Sequence, residues 1–228
     1  MEKAARARKI LDRLLEQYSV PGPFVEWSNP LELVIGTVLS AQCTDERVNR
    51  VTKELFRKYR TAEDYMNARP EELERDIYQT GFYKSKAKYL RGIGKILVEK
   101  FGGKVPNDFD AILLFPGVAR KTAHIVMAKA FGKFTGVAVD THVLRLAPRL
   151  GLTNQTEQEK IAKDLEALFP KEEYLRVNEY FITHGRAVCV PRKPKCKDCV
   201  LLGLCSYGRN ALETSEENVS WAKNIRFK

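Results

Sequence analysis

Residues 108–132 read DFDAILLFPGVARKTAHIVMAKAFG, and the fold turns on how they are read. Asp108 is a strong N-cap for a helix, Pro116-Gly117-Val118-Ala119 makes a tight turn, and a second helix runs from Arg120 to about Phe131. Gly117 takes a positive φ without steric cost, so the N–H groups of the turn can converge on an anion, and the positive end of the second helix reinforces them. A phosphate fits there without any base being read. Composition alone also allows a plain corner between two helices, the commoner meaning of Pro-Gly in such a place.

Outward from this segment the pattern stays helical. Apolar residues recur at helical spacing in Ile10, Leu11, Leu14 and Leu15, in Val34, Ile35, Val38 and Leu39, in Val48, Val51, Leu55 and Phe56, and in Ile161, Leu165 and Leu168. Nothing alternates as a strand. Ser28-Asn29-Pro30, Arg69-Pro70-Glu71-Glu72, Asn107-Asp108 and a Thr156-x-x-Glu159 capping box each place a start signal before a helix. The expectation is an all-α chain of about ten short helices, with function at helix ends and loops. Beyond Tyr207 the pattern weakens into a tail in which Trp221, Ile225 and Phe227 form one apolar anchor.

Composition narrows the function classes. With 44% hydrophobic and 30% charged residues, the 228-residue chain can bury an ordinary core and is not a disordered tail. The longest apolar run, LVIGTVLSA (33–41), is far short of the roughly 18 residues a spanning helix needs, so no membrane association is expected. The N-terminus mixes Glu2, Asp12 and Glu16 with its basic residues and has no apolar signal region, which points to an intracellular protein. Lys and Arg number 39 against 29 Asp and Glu, and the net +10 favours a polyanionic partner.

Four of the five cysteines, Cys189, Cys196, Cys199 and Cys205, fall within seventeen residues as C-x6-C-x2-C-x5-C. In a reducing compartment such a cluster reads as metal ligands rather than disulfides. Thiolates suit zinc or an iron–sulfur centre, and with one close pair instead of the two favoured by zinc fingers the spacing tilts toward a cluster. Between the first two ligands runs VPRKPK, a proline-stiffened loop offering Arg192, Lys193 and Lys195 to a phosphate backbone or to solvent. Lys121 stands in the first turn of the second hairpin helix, where the helix dipole favours a neutral, nucleophilic amine, although a lysine taken alone is more often a surface residue reaching into water. That helix carries the chain about 15 Å from Lys121. The eight residues that follow can span more than about 25 Å back. Asp140 of the VDTH segment (139–142) can therefore face it, although Asp before Thr-His-Val-Leu is also a good N-cap.

Taken together these pieces resemble the endonuclease III family of helix-hairpin-helix DNA glycosylases. The resemblance runs from about residue 8 to Tyr207 through SNPLELVIGTVLSAQCTD (28–45), GFYKSKAKYL (81–90), FPGVARKTAH (115–124), VDTHVLRLAPRLGL (139–152), HGRAVC (184–189) and the cysteine spacing. It implies a two-domain fold: a six-helix domain over 24–134 with the hairpin, an iron–sulfur domain from 1–23 plus 135–207, and a C-terminal tail at 208–228. It further implies a monomer acting on double-stranded DNA with a damaged base or abasic site, in the cytoplasm of a prokaryote or the nucleus of a eukaryote.

By the same resemblance Lys121 is the nucleophile and Asp140 the assisting carboxylate of a glycosylase that also cuts the strand as an AP lyase. Gln42 would face the base left without its partner and Phe82 would wedge the stack. Gly117, Ala119, Arg120, Arg192, Lys193 and Lys195 would hold phosphates, and Ser40, Asp45 and His142 would lie around the lesion pocket. The four cysteines would carry a 4Fe–4S cluster that shapes the basic loop. Rival readings are a monofunctional mismatch glycosylase for adenine or thymine, whose members usually have Ser or Tyr at the Lys121 position, and a noncatalytic DNA-binding module. The chain departs from the family pattern at Ala119, where a second hairpin glycine is usual, at Pro148, which should end or kink its helix, at Leu113, where some relatives carry an acid, and at Cys43.

Overall fold

The computed structural model describes residues 2–19, 21 and 24–213. Among them every regular element is a helix: α1 (Lys3–Gln17), α2 (Pro30–Leu39), α3 (Asp45–Lys58), α4 (Ala62–Asn67), α5 (Pro70–Asp76), α6 (Tyr83–Phe101), α7 (Phe109–Leu113), α8 (Arg120–Phe131), α9 (Thr141–Arg149), α10 (Gln158–Glu166) and α11 (Tyr174–Ala187), joined in places by 3-10 turns. Residues 206–213 are helical too, so the segment expected as a tail from 208 begins inside a helix. The anchor expected from Trp221, Ile225 and Phe227 lies outside the described residues. No helix among those described is long and apolar enough to cross a membrane.

Most start signals act as their chemistry dictates. Asn29 accepts the Glu32 N–H at 3.0 Å while the Glu32 carboxylate accepts the Ser28 N–H at 2.6 Å, and Pro30 occupies the first turn of α2. Asp108 accepts the Ala111 N–H at 2.8 Å to start α7. The Thr156–Glu159 box does not form: α10 starts at Gln158, with Glu157 as an N-cap that makes no side-chain bond. Thr153 holds the chain ahead of it instead, donating to Asp164 and accepting the Gln155 N–H at 3.0 Å. The capping box that does form joins Thr61 and Asp64 at the head of α4.

The chain divides into two compact units, one over residues 22–135 and one over 1–21 together with 136–228. The first has the 19-residue α6 as its spine. Leu90, Ile93 and Leu97 line its buried face, with Leu33, Ile35 and Leu39 of α2 and Val126 and Met127 of α8 in the same core. α4 packs tightly across α6 because Gly94 has no side chain: a Cβ there would lie 2.6 Å from both the Ala62 carbonyl oxygen and the Met66 nitrogen. In α8, His124 is buried, stacked on Phe109 at 4.6 Å and bonded through Nδ1 to the Thr135 hydroxyl at 2.8 Å. Burial, helped by the charge of Arg120, pushes its pKa down to about 4.

In the second unit, Ile10, Leu11 and Leu14 of α1 are buried, as are Val143 and Leu146 of α9, Ile161 and Leu165 of α10, and Val177 and Phe181 of α11. Pro148 has no N–H to give the Leu144 carbonyl, and α9 ends one residue later, as its chemistry requires. Gly151 then takes φ +63° and exposes the last carbonyls, which Arg6 of α1 collects: its Nη2 donates to Leu150 O at 2.8 Å and Gly151 O at 2.7 Å.

Two stability measurements check this packing. Gly94→Ala should lower the unfolding free energy in urea by about 1–3 kcal/mol, the usual cost of overpacking, whereas Gly203→Ala, with open space around the new carbon, should not. His124 is neutral when folded and titrates near 6.5 when unfolded. Its contribution is therefore complete above pH 6.5 and declines as the pH falls from there toward 4. The acid-side slope of stability should be shallower in His124→Asn than in the wild type, and an unchanged slope would contradict the assignment.

Candidate active site and cysteine centre

The hairpin is built from α7, a six-residue turn and α8. Phe115 N–H bonds to Ile112 O and Val118 N–H to Phe115 O, each at 3.1 Å, which tightens the turn. Gly117 takes φ +79°, and a Cβ on it would lie 2.6 Å from Cδ2 of Tyr89, so both backbone conformation and close approach demand glycine. Ala119, the N-cap of α8, sits at φ −100°, ψ 170°. That is ordinary extended backbone, which explains why alanine suffices where a second glycine was expected. Arg120 and Lys121 follow in the first turn of α8 and are exposed, with the Arg120 guanidinium 5.2 Å from the Phe109 ring centre. The protein by itself therefore does not desolvate Lys121. Leu113 packs against the core, while Leu114 stands 53% exposed beside the turn.

Three non-glycine residues among those described have positive φ: Gln42 (53°), Phe82 (49°) and Lys193 (53°). All three were singled out from the sequence as DNA-contact positions. Left-handed backbone costs a non-glycine residue of order 1–3 kcal/mol, most for bulky side chains, and persists only where its surroundings enforce it. Phe82 is 65% exposed and Gln42 is exposed too, so neither strained residue gains core burial in return. Around Gln42, Ser40 closes α2 and donates its hydroxyl to Thr37 O at 2.8 Å, Cys43 N–H bonds to Ser40 O with the thiol packed against the core, and Asp45 opens α3.

In the other unit Asp140 is 8% exposed and caps α9: Oδ1 accepts the His142 N–H at 2.9 Å and the Val143 N–H at 2.8 Å, leaving Oδ2 outside the cap. The strand of chain leading to it is fixed by two side chains, Asn178, whose Nδ2 donates to Ala138 O at 2.7 Å, and Glu166, whose carboxylate accepts the Val137 N–H at 3.0 Å. His142 is half-buried and its Nδ1 meets Arg145 Nη2 at 3.1 Å.

The four cysteines line one cavity, together with Arg149, His184 and several apolar side chains. No three described Cys, His, Asp or Glu side chains close around one point as a single ion would require. Burial pushes the Cys196 and Cys199 thiols up, and the neighbouring cysteines add to it, so these two resist ionising without positive charge beside them. Arg149 donates to Cys189 Sγ at 3.4 Å, to Val190 O at 3.0 Å and to Pro191 O at 2.9 Å, while Arg145 Nε donates to Cys189 O at 3.1 Å. His184 Nε2 lies 3.5 Å from Cys199 Sγ, and its Nδ1 meets the Tyr18 hydroxyl at 2.8 Å. With the carbonyls of the 189–191 segment drawn inward by two arginines, Arg192, Lys193 and Lys195 are left exposed on the loop.

Within residues 22–135 the structure therefore assembles the Gln42 turn, the Phe82 turn and the hairpin. The second unit holds Asp140, His142, the cysteines and the basic loop. Sequence reading missed Tyr89, Arg145, Arg149 and Lys86. Lys86 did carry a signal, because it falls four and seven residues before Leu90 and Ile93, on the buried stripe of α6.

A protein-family profile described as "HhH-GPD superfamily base excision DNA repair protein" matches residues 35–171. Endonuclease III of Synechocystis sp. is 45% identical over 203 residues, covering 89% of this chain and 93% of the relative. A non-covalent endonuclease III–DNA complex and a trapped endonuclease III–DNA covalent intermediate each match with a TM-score of 0.87 and 40% identity, over 93% of this chain and 100% of that chain. This chain belongs to the endonuclease III family of the HhH-GPD superfamily.

Proposed function

We propose that the chain is a bifunctional DNA glycosylase and AP lyase of base excision repair, which removes oxidised pyrimidines from duplex DNA and nicks the strand through a lysine Schiff base. The observation that carries this is Lys121, an exposed amine in the first turn of α8 directly behind the Gly117 hairpin, in a family with a trapped covalent DNA intermediate. The hairpin N–H groups and Arg120 hold a backbone phosphate, which sets the sugar against the lysine. Lys121 Nζ forms a bond to C1′ as the C1′–base bond breaks, and the sugar ring opens to the imine. Loss of a C2′ proton then expels the 3′ phosphate, which cuts the strand. Asp140, whose Oδ2 is free of the cap, stabilises positive charge on the sugar and takes up the proton of the attacking amine.

The reacting nucleotide must leave the stack. Gln42 and Phe82 fill the space it vacates, and their strained, exposed backbone supports that role. Ser40 and Asp45, beside Gln42, and His142, in the second unit, are the residues assigned to contact the extruded base. Cys189, Cys196, Cys199 and Cys205 would hold a 4Fe–4S cluster, which suits this donor set: four soft thiols line one cavity and no three described donors close on a single ion position. The chain's own contribution is to turn Arg192, Lys193 and Lys195 outward as a second phosphate clamp.

Borohydride trapping on duplex DNA carrying an oxidised thymine or an abasic site should give a covalent adduct with the wild type and none with Lys121→Ala. A Lys121→Ala enzyme that still nicks would overturn the mechanism. Asp140→Asn keeps an N-cap of equal quality, so it should fold normally and lose roughly 100-fold or more in single-turnover rate. Purified protein should be brown and carry about four iron atoms per chain, both lost in Cys199→Ser; colourless, zinc-containing protein would replace the cluster with a single-ion site.

A further inference from the structure

Lys86 is 3% exposed, and burial lowers its pKa. Its Nζ donates to two backbone carbonyls, Leu39 O at 2.8 Å and Thr80 O at 2.8 Å. Those two carbonyls come from segments 41 residues apart in the chain. Leu39 is the last residue of α2, three residues before Gln42, and Thr80 ends a 3-10 turn two residues before Phe82. The backbone of Lys86 completes the arrangement, because its N–H donates to Phe82 O at 3.0 Å and makes the first main-chain bond of α6.

Each anchored carbonyl is stiffly joined to the strained residue beyond it. On the Leu39 side, Ser40 N–H bonds to Gly36 O at 2.9 Å, its hydroxyl to Thr37 O at 2.8 Å, and Cys43 N–H to Ser40 O at 3.1 Å. On the Thr80 side, the buried Thr80 hydroxyl and N–H both bond to Ile77 O, and Gly81 N–H to Tyr78 O at 3.3 Å. The consequence is that Gln42 and Phe82, both held at positive φ, are referred to one nitrogen atom. A buried lysine is costly to keep where an apolar side chain would fill the same stripe, and the return visible here is the geometry of two turns.

We propose that Lys86 is a positioning residue that couples the Gln42 and Phe82 turns, so that the two side chains enter the duplex as one unit. This rests on the assignment of Gln42 and Phe82 as the residues that replace the extruded nucleotide. Without the ammonium, two buried carbonyls lose their partner and each turn relaxes on its own. Lys121 is not reached by this network, so the chemical step on an already opened site is untouched.

The test is a double-mutant cycle in the full-length, cluster-bearing enzyme, with the dissociation constant for a duplex holding a tetrahydrofuran abasic analogue opposite 2-aminopurine, whose fluorescence reports base estrangement. Gln42→Ala and Phe82→Ala should each weaken binding and quench the estrangement signal, and their combined effect in a Lys86 background should differ from the product of the single effects by about tenfold, as for side chains that act together. In Lys86→Met, of similar length and no charge, that factor should fall close to one and the fluorescence rise should become partial. Lys86→Arg, which keeps a charged donor, should restore part of the coupling. Borohydride trapping on a single-stranded abasic site should be unchanged in Lys86→Met. If the single variants at 42 and 82 leave binding intact, the assignment of the two turns fails. If they weaken it but the coupling persists in Lys86→Met, the lysine proposal fails alone. A Lys86→Met variant that is merely less stable, with its coupling unchanged, would also overturn it.

Discussion

A helix leaves four N–H groups without partners at its first turn and four carbonyls at its last, and a chain whose regular elements among the described residues are all helices meets that debt at every junction. Here the debt is met by long-range side chains rather than by water alone. Arg6 takes the carbonyls at the end of α9, Lys86 the carbonyls at the ends of α2 and of the 78–80 turn, and Arg145 and Arg149 those that follow α11. Each of these contacts ties a helix end to a segment 40 or more residues away or to a functional loop, so the bonds that satisfy the backbone also place the site. Asp140 shows the same economy at the other polarity: the carboxylate satisfies two N–H groups of α9 with one oxygen and leaves the second outside the cap.

The residues proposed to meet DNA stand where these satisfied ends leave the backbone under constraint. A side chain that must enter a duplex cannot also be buried in the core, so its position has to be enforced through the main chain. Gln42 and Phe82, proposed to enter the duplex, and Lys193, proposed to meet its phosphates, are all held as left-handed backbone. Gly117 carries it without strain, since its approach to Tyr89 admits no side chain. The cysteine loop uses the same device from inside: two arginines draw the main chain of residues 189–191 inward, and the basic side chains beyond are left outward. From the net charge of +10, the loop thus turns Arg192, Lys193 and Lys195 outward.

Much of this could be read from the chain alone because it depends on neighbours in sequence. The helix starts at Asn29-Pro30 and Asp108, the glycine at 117 and the helix end after Pro148 follow from local sterics and capping chemistry. Where the reading erred, a competing local bond had won: Thr153 holds the entry to α10, so the box at Thr156 and Glu159 never closes. Ala119 looked like a departure until its φ of −100° showed that no glycine is needed there.

The amino-acid sequence by itself determined that the protein is all helical, that a hairpin precedes Lys121, that Asp140 caps α9 and that four thiols gather near the C-terminus, since each is set by spacing within one segment. Only the tertiary structure decided which of the three lysines in KSKAK is buried, which carbonyls it holds, and that Arg145 and Arg149 rather than the cysteines alone shape the basic loop. The physical reason is that a long cationic side chain reaches whichever unsatisfied carbonyl packing brings within about 3 Å. That depends on helices meeting from distant parts of the chain, which no local pattern records.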